Sequence, residues 1–125
     1  MQALILRAIR LAAWSLAATI VVVSLVPPNL RPETGAPHDF EHFVIFAATG
    51  LAFGLGYDTR RDLLGTQLVV FAGAVEIAQL FVAGRHARFS DFLVDAVAAC
   101  AGSIIAPLIR QVCGRWALGR GVSKN

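Results

Sequence analysis

Four long apolar runs, separated by short polar or Gly/Pro-bearing connectors, constrain the fold of this chain more than any other feature of its sequence. A helix that crosses the hydrocarbon core of a bilayer needs about 20 apolar residues, with roughly 17 as a practical minimum. The runs are close to that length and predict an all-α integral membrane bundle of four transmembrane helices. The expected helices cover about residues 5–26, 40–57, 63–83 and 91–112.

Composition supports a membrane protein made of one domain, residues 1–125. Hydrophobic residues make up 57% of the chain and charged residues 15%, whereas a soluble domain is about half apolar and about a quarter charged. No repeat at solenoid spacing and no low-complexity linker divides the sequence.

The first apolar run follows Arg7 and Arg10, much as the apolar part of a secretory signal peptide follows a basic start. No small-x-small cleavage site comes after the run, which continues into Pro27 and Pro28. We therefore expect a retained signal-anchor helix rather than a cleaved peptide.

Lys and Arg near the helix ends orient the predicted bundle, because they prefer the cytoplasmic side of a membrane. With the N-terminus inside, eight of these residues are cytoplasmic and three are not: Arg7, Arg10, Arg60, Arg61, Arg110, Arg115, Arg120 and Lys124 against Arg31, Arg85 and Arg88. We predict a multi-pass protein of the cytoplasmic membrane with both termini in the cytoplasm. The net charge of +3 then reflects orientation, and no nucleic-acid partner is expected.

Polar residues in the apolar runs and in their connectors collect, under this topology, in one layer on the side away from the cytoplasm. They are Asp39, Glu41, His42, Glu76, Gln79, Arg85, His86, Arg88, Asp91 and Asp95. Glu76 is expected about 12 Å beneath the loop that begins at Gly84, from the helical rise. An acid at membrane depth costs about 2.5–3.5 kcal/mol on the insertion scale, so this layer needs either internal partners or a function.

A purely structural interpretation accounts for part of the layer. A buried ion pair between one acid and one loop arginine would lock the third and fourth helices together: Glu76 or Asp95 with Arg85 or Arg88. Asp91 follows Ser90 at a helix start, where either residue can cap exposed N–H groups. His42 lies near another helix start and is by default a structural hydrogen-bonding residue.

Small residues predict where the helices meet. Helix two carries Gly50 and Gly54, helix three carries Gly73, and helix four carries Ala98 and Gly102. Such residues let helix backbones approach closely, so we expect the core of the bundle on these faces, with the acids directed inwards.

The ordered set of polar residues and glycines resembles the VanZ-like family of small bacterial membrane proteins, whose name comes from a protein associated with teicoplanin resistance. The matching positions run from about residue 39 to residue 102: His42-Phe43, Glu76-x-x-Gln79, Gly84-Arg85, Asp91 and Gly102. The resemblance implies a bacterial inner-membrane protein of the cell envelope, linked in some relatives to lower susceptibility to glycopeptides. It implies no established reaction.

The sequence departs from the family pattern in three respects. His38 and Asp39 stand where the family has Asp and Lys, so the Lys is missing. Asp95 replaces the usual Asn and adds a negative charge inside the bundle, and Ala98 replaces a Gly. The departure at Asp95 changes the electrostatics of the predicted site, so the mechanism of the resistance protein does not transfer with the resemblance.

The residues favour a binding module for an outer-leaflet amphiphile: a lipid-linked envelope precursor, a phospholipid or a lipoglycopeptide. Arginine suits bidentate phosphate contact, so the loop arginines and His86 would surround the headgroup. The candidate ligand-binding residues are His42, Glu76, Gln79, Arg85, Arg88, Asp91 and Asp95.

Two other classes of function stay open. In an intramembrane hydrolase or transferase acting on a lipid headgroup, Glu76 would be the acid or base, His42 its relay and Arg85 an electrostatic clamp. No nucleophile elbow, HExxH or P-loop supports catalysis, and Cys100 and Cys113 lack metal-ligand spacing. No metal or cofactor is expected. In the third class, the chain is an accessory bundle packed against another membrane protein.

Overall fold

The computed structural model describes residues 1–30, 35, 38–85 and 87–121, and for residues 28, 38, 39 and 114–121 only the backbone. Four helices make up this part of the chain, and it contains no strand, so the predicted all-α fold is confirmed. They are α1 (Gln2–Leu25), α2 (His38–Gly56), α3 (Arg61–Gln79) and α4 (Phe89–Gly121). One 3₁₀ turn at Pro28–Leu30 follows α1.

Helix α3 ends at Gln79 rather than at the predicted residue 83. After Gln79 the backbone tightens into successive i→i+3 hydrogen bonds, from the N–H groups of Leu80, Phe81 and Val82, which is a common way for a helix to finish. Gly84 then takes a φ of +80°, a conformation that favours glycine, and the chain turns back towards α4.

Consecutive helices run in opposite directions, so the bundle has two distinct ends. Arg10 near the start of α1 donates to the carbonyl of Gly56, the last residue of α2. Arg85, between α3 and α4, donates to the carbonyl of Val26 after α1. We call the end with the start of α1 and the end of α2 the basic end. The opposite end, with the start of α4, is the polar end.

Helices α2 and α4 form the closest contact of the bundle, at small residues. A Cβ added to Gly50 would run into the carbonyl of Ala99, and one added to Gly102 would run into the carbonyl of Ala47. The predicted close approach of these two helices is therefore confirmed. Gly73 on α3 differs from the expectation, because its nearest neighbour is the ring of Phe92, 3.5 Å from an added Cβ, and not a backbone.

Among the described residues, two helical stretches are long and apolar enough to cross a membrane: Gln2–Leu25 and Phe89–Cys113. The apolar part of α2, Phe40–Gly56, is shorter. Helix α3 begins with Arg61 and Asp62 and carries Glu76 near its end, so its apolar run is interrupted. Hydropathy of the observed helices thus identifies two candidate spans among the four that the sequence predicts.

Candidate functional site

His42 and Asp95 form a buried pair at the polar end. The Nδ1 of His42 lies 3.1 Å from both carboxylate oxygens of Asp95, a geometry that fits an Nδ1–H donating to a carboxylate. The exposed fraction is 7% for His42 and 0% for Asp95. Helix α2 brings His42 inwards on the same face as Phe46 and Thr49, which are also buried, as residues three and four apart share a helix face.

Glu76 lies beside this pair, in the last turn of α3. Its Oε1 accepts a hydrogen bond from the backbone N–H of Arg88, just before α4 begins. The expected depth beneath the loop is therefore wrong, because α3 ends early and the returning chain meets the carboxylate directly. Glu76 interacts electrostatically with Asp91, Asp95 and His42, so the four titratable groups form one electrostatic unit.

In the part of the chain that the structure describes, two polar atoms of this cluster are buried without a hydrogen-bond partner: Oε2 of Glu76 and Nε2 of Gln79. Glu76 is 6% exposed and Gln79 is 4% exposed. Leaving a buried polar group unpaired costs about 1–3 kcal/mol, and more for a charged one. Residues three apart on a helix have Cβ atoms about 5–6 Å apart, so Glu76 and Gln79 are neighbours on one face of α3.

Arg85 lies at the end of α1. Its Nη2 donates to the carbonyls of Val23 and Val26 at 2.7 and 3.0 Å. These carbonyls belong to the last turn of α1 and its cap, which a helix leaves without partners. The sequence predicted the guanidinium above the carboxylates, with Glu76 or Asp95 as a possible partner. Of these two acids, Asp95 pairs with His42.

The start of α4 holds the remaining predicted residues. Helix α4 begins at Phe89, so Asp91 lies in its first turn and not at the capping position. A negative charge in the first turn interacts favourably with the helix dipole. The Oγ of Ser90 donates to Asp91 at 3.0 Å. The side chain of Arg88 is exposed. His86 lies outside the described residues, as does the side chain of Asp39.

The polar cluster thus contains side chains from three helices: His42, Glu76, Gln79, Asp91 and Asp95. Arg85 donates to carbonyls at the end of α1. Sequence reasoning did not identify the carbonyls of Val23 and Val26 as partners, because a backbone acceptor leaves no residue-type signal. Within the described residues, no group of three or more His, Cys, Asp or Glu side chains is arranged to hold a metal ion. The cluster can therefore be described as a hydrogen-bonding site with an oriented histidine.

Comparison of the chain with protein-family models, with curated protein sequences and with solved structures found no match.

Proposed function

We propose that the chain is a bacterial integral membrane protein of the VanZ-like family that binds the headgroup of an outer-leaflet amphiphile at its polar end. All four helices would lie in the membrane. The proposal of membrane insertion is supported by the exposed apolar surface, since only 22% of the apolar window of α1 and 33% of that of α4 is buried in the bundle. A soluble monomer rarely exposes such continuous apolar faces.

The basic end supplies the orientation in this proposal. Trp14 donates from Nε1 to the hydroxyl of Tyr57 at 2.9 Å, and Arg10 lies over the Tyr57 ring at 4.9 Å from its centroid. Aromatic residues and arginines at the same level are typical of a membrane–water interface. The basic end then faces the cytoplasm with both termini, and the polar end faces the outer leaflet.

The observation that carries the proposed binding function is the pair of buried atoms without partners, Glu76 Oε2 and Gln79 Nε2. Oε2 can accept a hydrogen bond and Nε2 can donate one. A hydroxyl or a secondary amide in a ligand can do both at once, whereas a phosphate dianion cannot donate. The site therefore favours a headgroup with sugar hydroxyls or peptide amides, such as a lipid-linked envelope precursor or a lipoglycopeptide.

Binding to purified protein in detergent tests this proposal, with two probes that share one polyprenyl chain. One is polyprenyl phosphate, and the other is a polyprenyl diphosphate that carries a sugar–peptide headgroup. We expect tighter binding of the second probe. Gln79→Leu removes the donor and should weaken this binding about tenfold, from the loss of one buried hydrogen bond.

Gln111→Leu is the matched control, because Gln111 is an exposed residue of α4 and undergoes the same chemical change. It should leave the affinity for both probes unchanged. If Gln79→Leu and Gln111→Leu bind the sugar–peptide probe as the unmodified protein does, buried water satisfies the two atoms and the proposed site is wrong.

A second candidate function, an intramembrane hydrolase or transferase acting on a lipid headgroup, is favoured by the His42–Asp95 pair beside Glu76. A carboxylate that orients a histidine is a recurring arrangement in general acid–base catalysis. Release of headgroup from the sugar–peptide probe by the purified protein, lost in His42→Asn, would support it. Binding without any release in the unmodified protein would leave the binding function alone.

A further inference from the structure

A groove lies near the basic end, away from the polar cluster. Its volume between α1, α2 and α3 is about 480 Å³, within the range of about 300–1,000 Å³ that small-molecule sites occupy. Its inner walls are apolar and come from all three helices: Ala17, Phe53, Leu64, Leu68 and Phe71. None of the residues assigned above to the polar end lines it.

Polarity along the groove changes from one end to the other. Its lining at the basic end includes Tyr57 and Thr59, and Gln67 follows one turn after Leu64 along α3. The hydroxyl of Tyr57 accepts from Trp14 and keeps its own O–H as a donor. Beyond Gln67, the wall continues with Leu68 and Phe71. The hydroxyl groups of Tyr57 and Thr59 thus lie at the basic end of the groove, and Gln67 interrupts its apolar wall.

Two arginines lie near the end of the groove that carries Tyr57 and Thr59. Arg10 lies over the ring of Tyr57 and donates to the carbonyl of Gly56. Arg60 follows Thr59 in the chain, and its pair with Asp62 is exposed to solvent, with the Arg60 side chain 82% exposed. The Arg10 guanidinium is therefore within reach of a ligand that lies against Tyr57, whereas the Arg60 guanidinium is paired with Asp62.

We infer that the groove binds one anionic phospholipid of the leaflet at the basic end. One acyl chain occupies the apolar part, the ester region lies against Tyr57, and the phosphate lies near Arg10. The order from the Arg10 guanidinium through the Tyr57 hydroxyl to the apolar wall is the order of chemical groups along such a lipid. The charge of Arg10 complements the charge of the phosphate. The inference needs the proposed membrane insertion but is independent of the polar-end ligand.

Native mass spectrometry of the purified full-length protein, with phosphatidylglycerol or phosphatidylcholine added to the detergent, tests the site. We expect phosphatidylglycerol to bind about fivefold more tightly, the effect of about one cation near a lipid surface. Gln67→Trp fills the groove and should lower the bound fraction of both lipids at least tenfold. Val70→Trp adds the same ring to an exposed position of α3 outside the groove lining and should leave binding unchanged.

The charge at the rim is tested by Arg10→Gln, with Arg7→Gln on the same helix as its control. Arg10→Gln should bring phosphatidylglycerol down to the affinity of phosphatidylcholine, and Arg7→Gln should keep the preference. A thermal melt of each variant separates binding from folding, because a misfolded variant would lose both lipids equally. Equal binding of the two lipids by the unmodified protein, or equal binding by Gln67→Trp and Val70→Trp, would overturn the inference.

Discussion

Arginines donate to the main chain at both ends of the bundle, but the acids of the two ends differ in how deeply they are buried. Arg110 donates from Nη2 to the carbonyls of Gly54 and Leu55 at 2.7 and 2.8 Å, close to where α2 ends. At the polar end, Asp95 is fully buried against His42. Asp58 and Asp62 at the basic end are exposed, so the acids of the two ends have opposite degrees of contact with water.

This difference indicates which end stabilises the fold and which end has hydrogen bonds left to make. A guanidinium on terminal carbonyls satisfies groups that a helix leaves unpaired, and water still solvates its outer face. A buried carboxylate has lost water and depends on protein partners. Within the described residues, Glu76 Oε2 and Gln79 Nε2 have none, so the proposed ligand would add most at the polar end.

The largest expected effect is at the buried pair. Asp95→Ala leaves His42 buried without its carboxylate, and breaking a buried pair from one side costs about 3–5 kcal/mol of unfolding free energy. Asp95→Asn keeps an oxygen that accepts from His42 Nδ1 and should retain most of the stability. Equilibrium unfolding in mixed micelles measures both variants.

A loss below about 1 kcal/mol in Asp95→Ala, typical of an exposed pair, would remove the contrast between the two ends. A loss in Asp95→Asn as large as that in Asp95→Ala would show that the negative charge, and not the hydrogen bond, holds the pair together.

The next largest effect is expected at the close contact between α2 and α4. Gly102→Leu places a side chain against the carbonyl of Ala47, and overpacking of this kind costs about 1–3 kcal/mol. Gly65→Leu is the matched control, because no atom lies within 4 Å of an added Cβ at Gly65. Thermal melts in detergent should show a lower midpoint for Gly102→Leu alone. Equal midpoints would mean that α2 and α4 do not meet as described.

Sequence reasoning could predict this contact because small residues at helical spacing in an apolar chain are typical of helices that pack closely. Gly50 and Gly102 were expected at a helix contact, and both lie against a carbonyl of the facing helix. The inward faces of His42 and Asp95 were also predictable from the helical repeat. Their pairing could not be predicted, because His42 and Asp95 are 53 residues apart in sequence. It depends on how α2 and α4 are rotated relative to each other.

The end of α3 could not be predicted from hydropathy. Leu80, Phe81 and Val82 are as apolar as the helix before them, so the run continues although the helix stops at Gln79. Only the i→i+3 bonds of the backbone reveal the turn. Because the end of α3 was predicted too late, Glu76 was expected too far beneath the loop. For the same reason, the backbone N–H of Arg88 was not expected as the partner of its carboxylate.

A smaller effect is expected at Arg85, which is the polar end's counterpart of Arg110. Arg85→Gln removes the charged donor from the carbonyls of Val23 and Val26, at a cost of about 1–2 kcal/mol. Arg88→Gln is the control, because the Arg88 side chain is exposed and its backbone makes the contact with Glu76. Unfolding curves should separate the two variants, and identical curves would show that α1 does not depend on Arg85.

The smallest effect is expected at the pair between Arg60 and Asp62, where Nη2 lies 2.7 Å from Oδ2. This distance is shorter than the 3.1 Å of the buried pair, so distance alone would rank the exposed pair as the stronger one. Its side chains are 82% and 67% exposed, and water that replaces a lost partner there compensates for the interaction. Asp62→Ala should therefore leave the unfolding midpoint unchanged at both low and high salt, whereas Asp95→Ala should lower it strongly. If Asp62→Ala lowers the midpoint as far as Asp95→Ala does, burial does not set the strength of these pairs and the contrast between the ends fails.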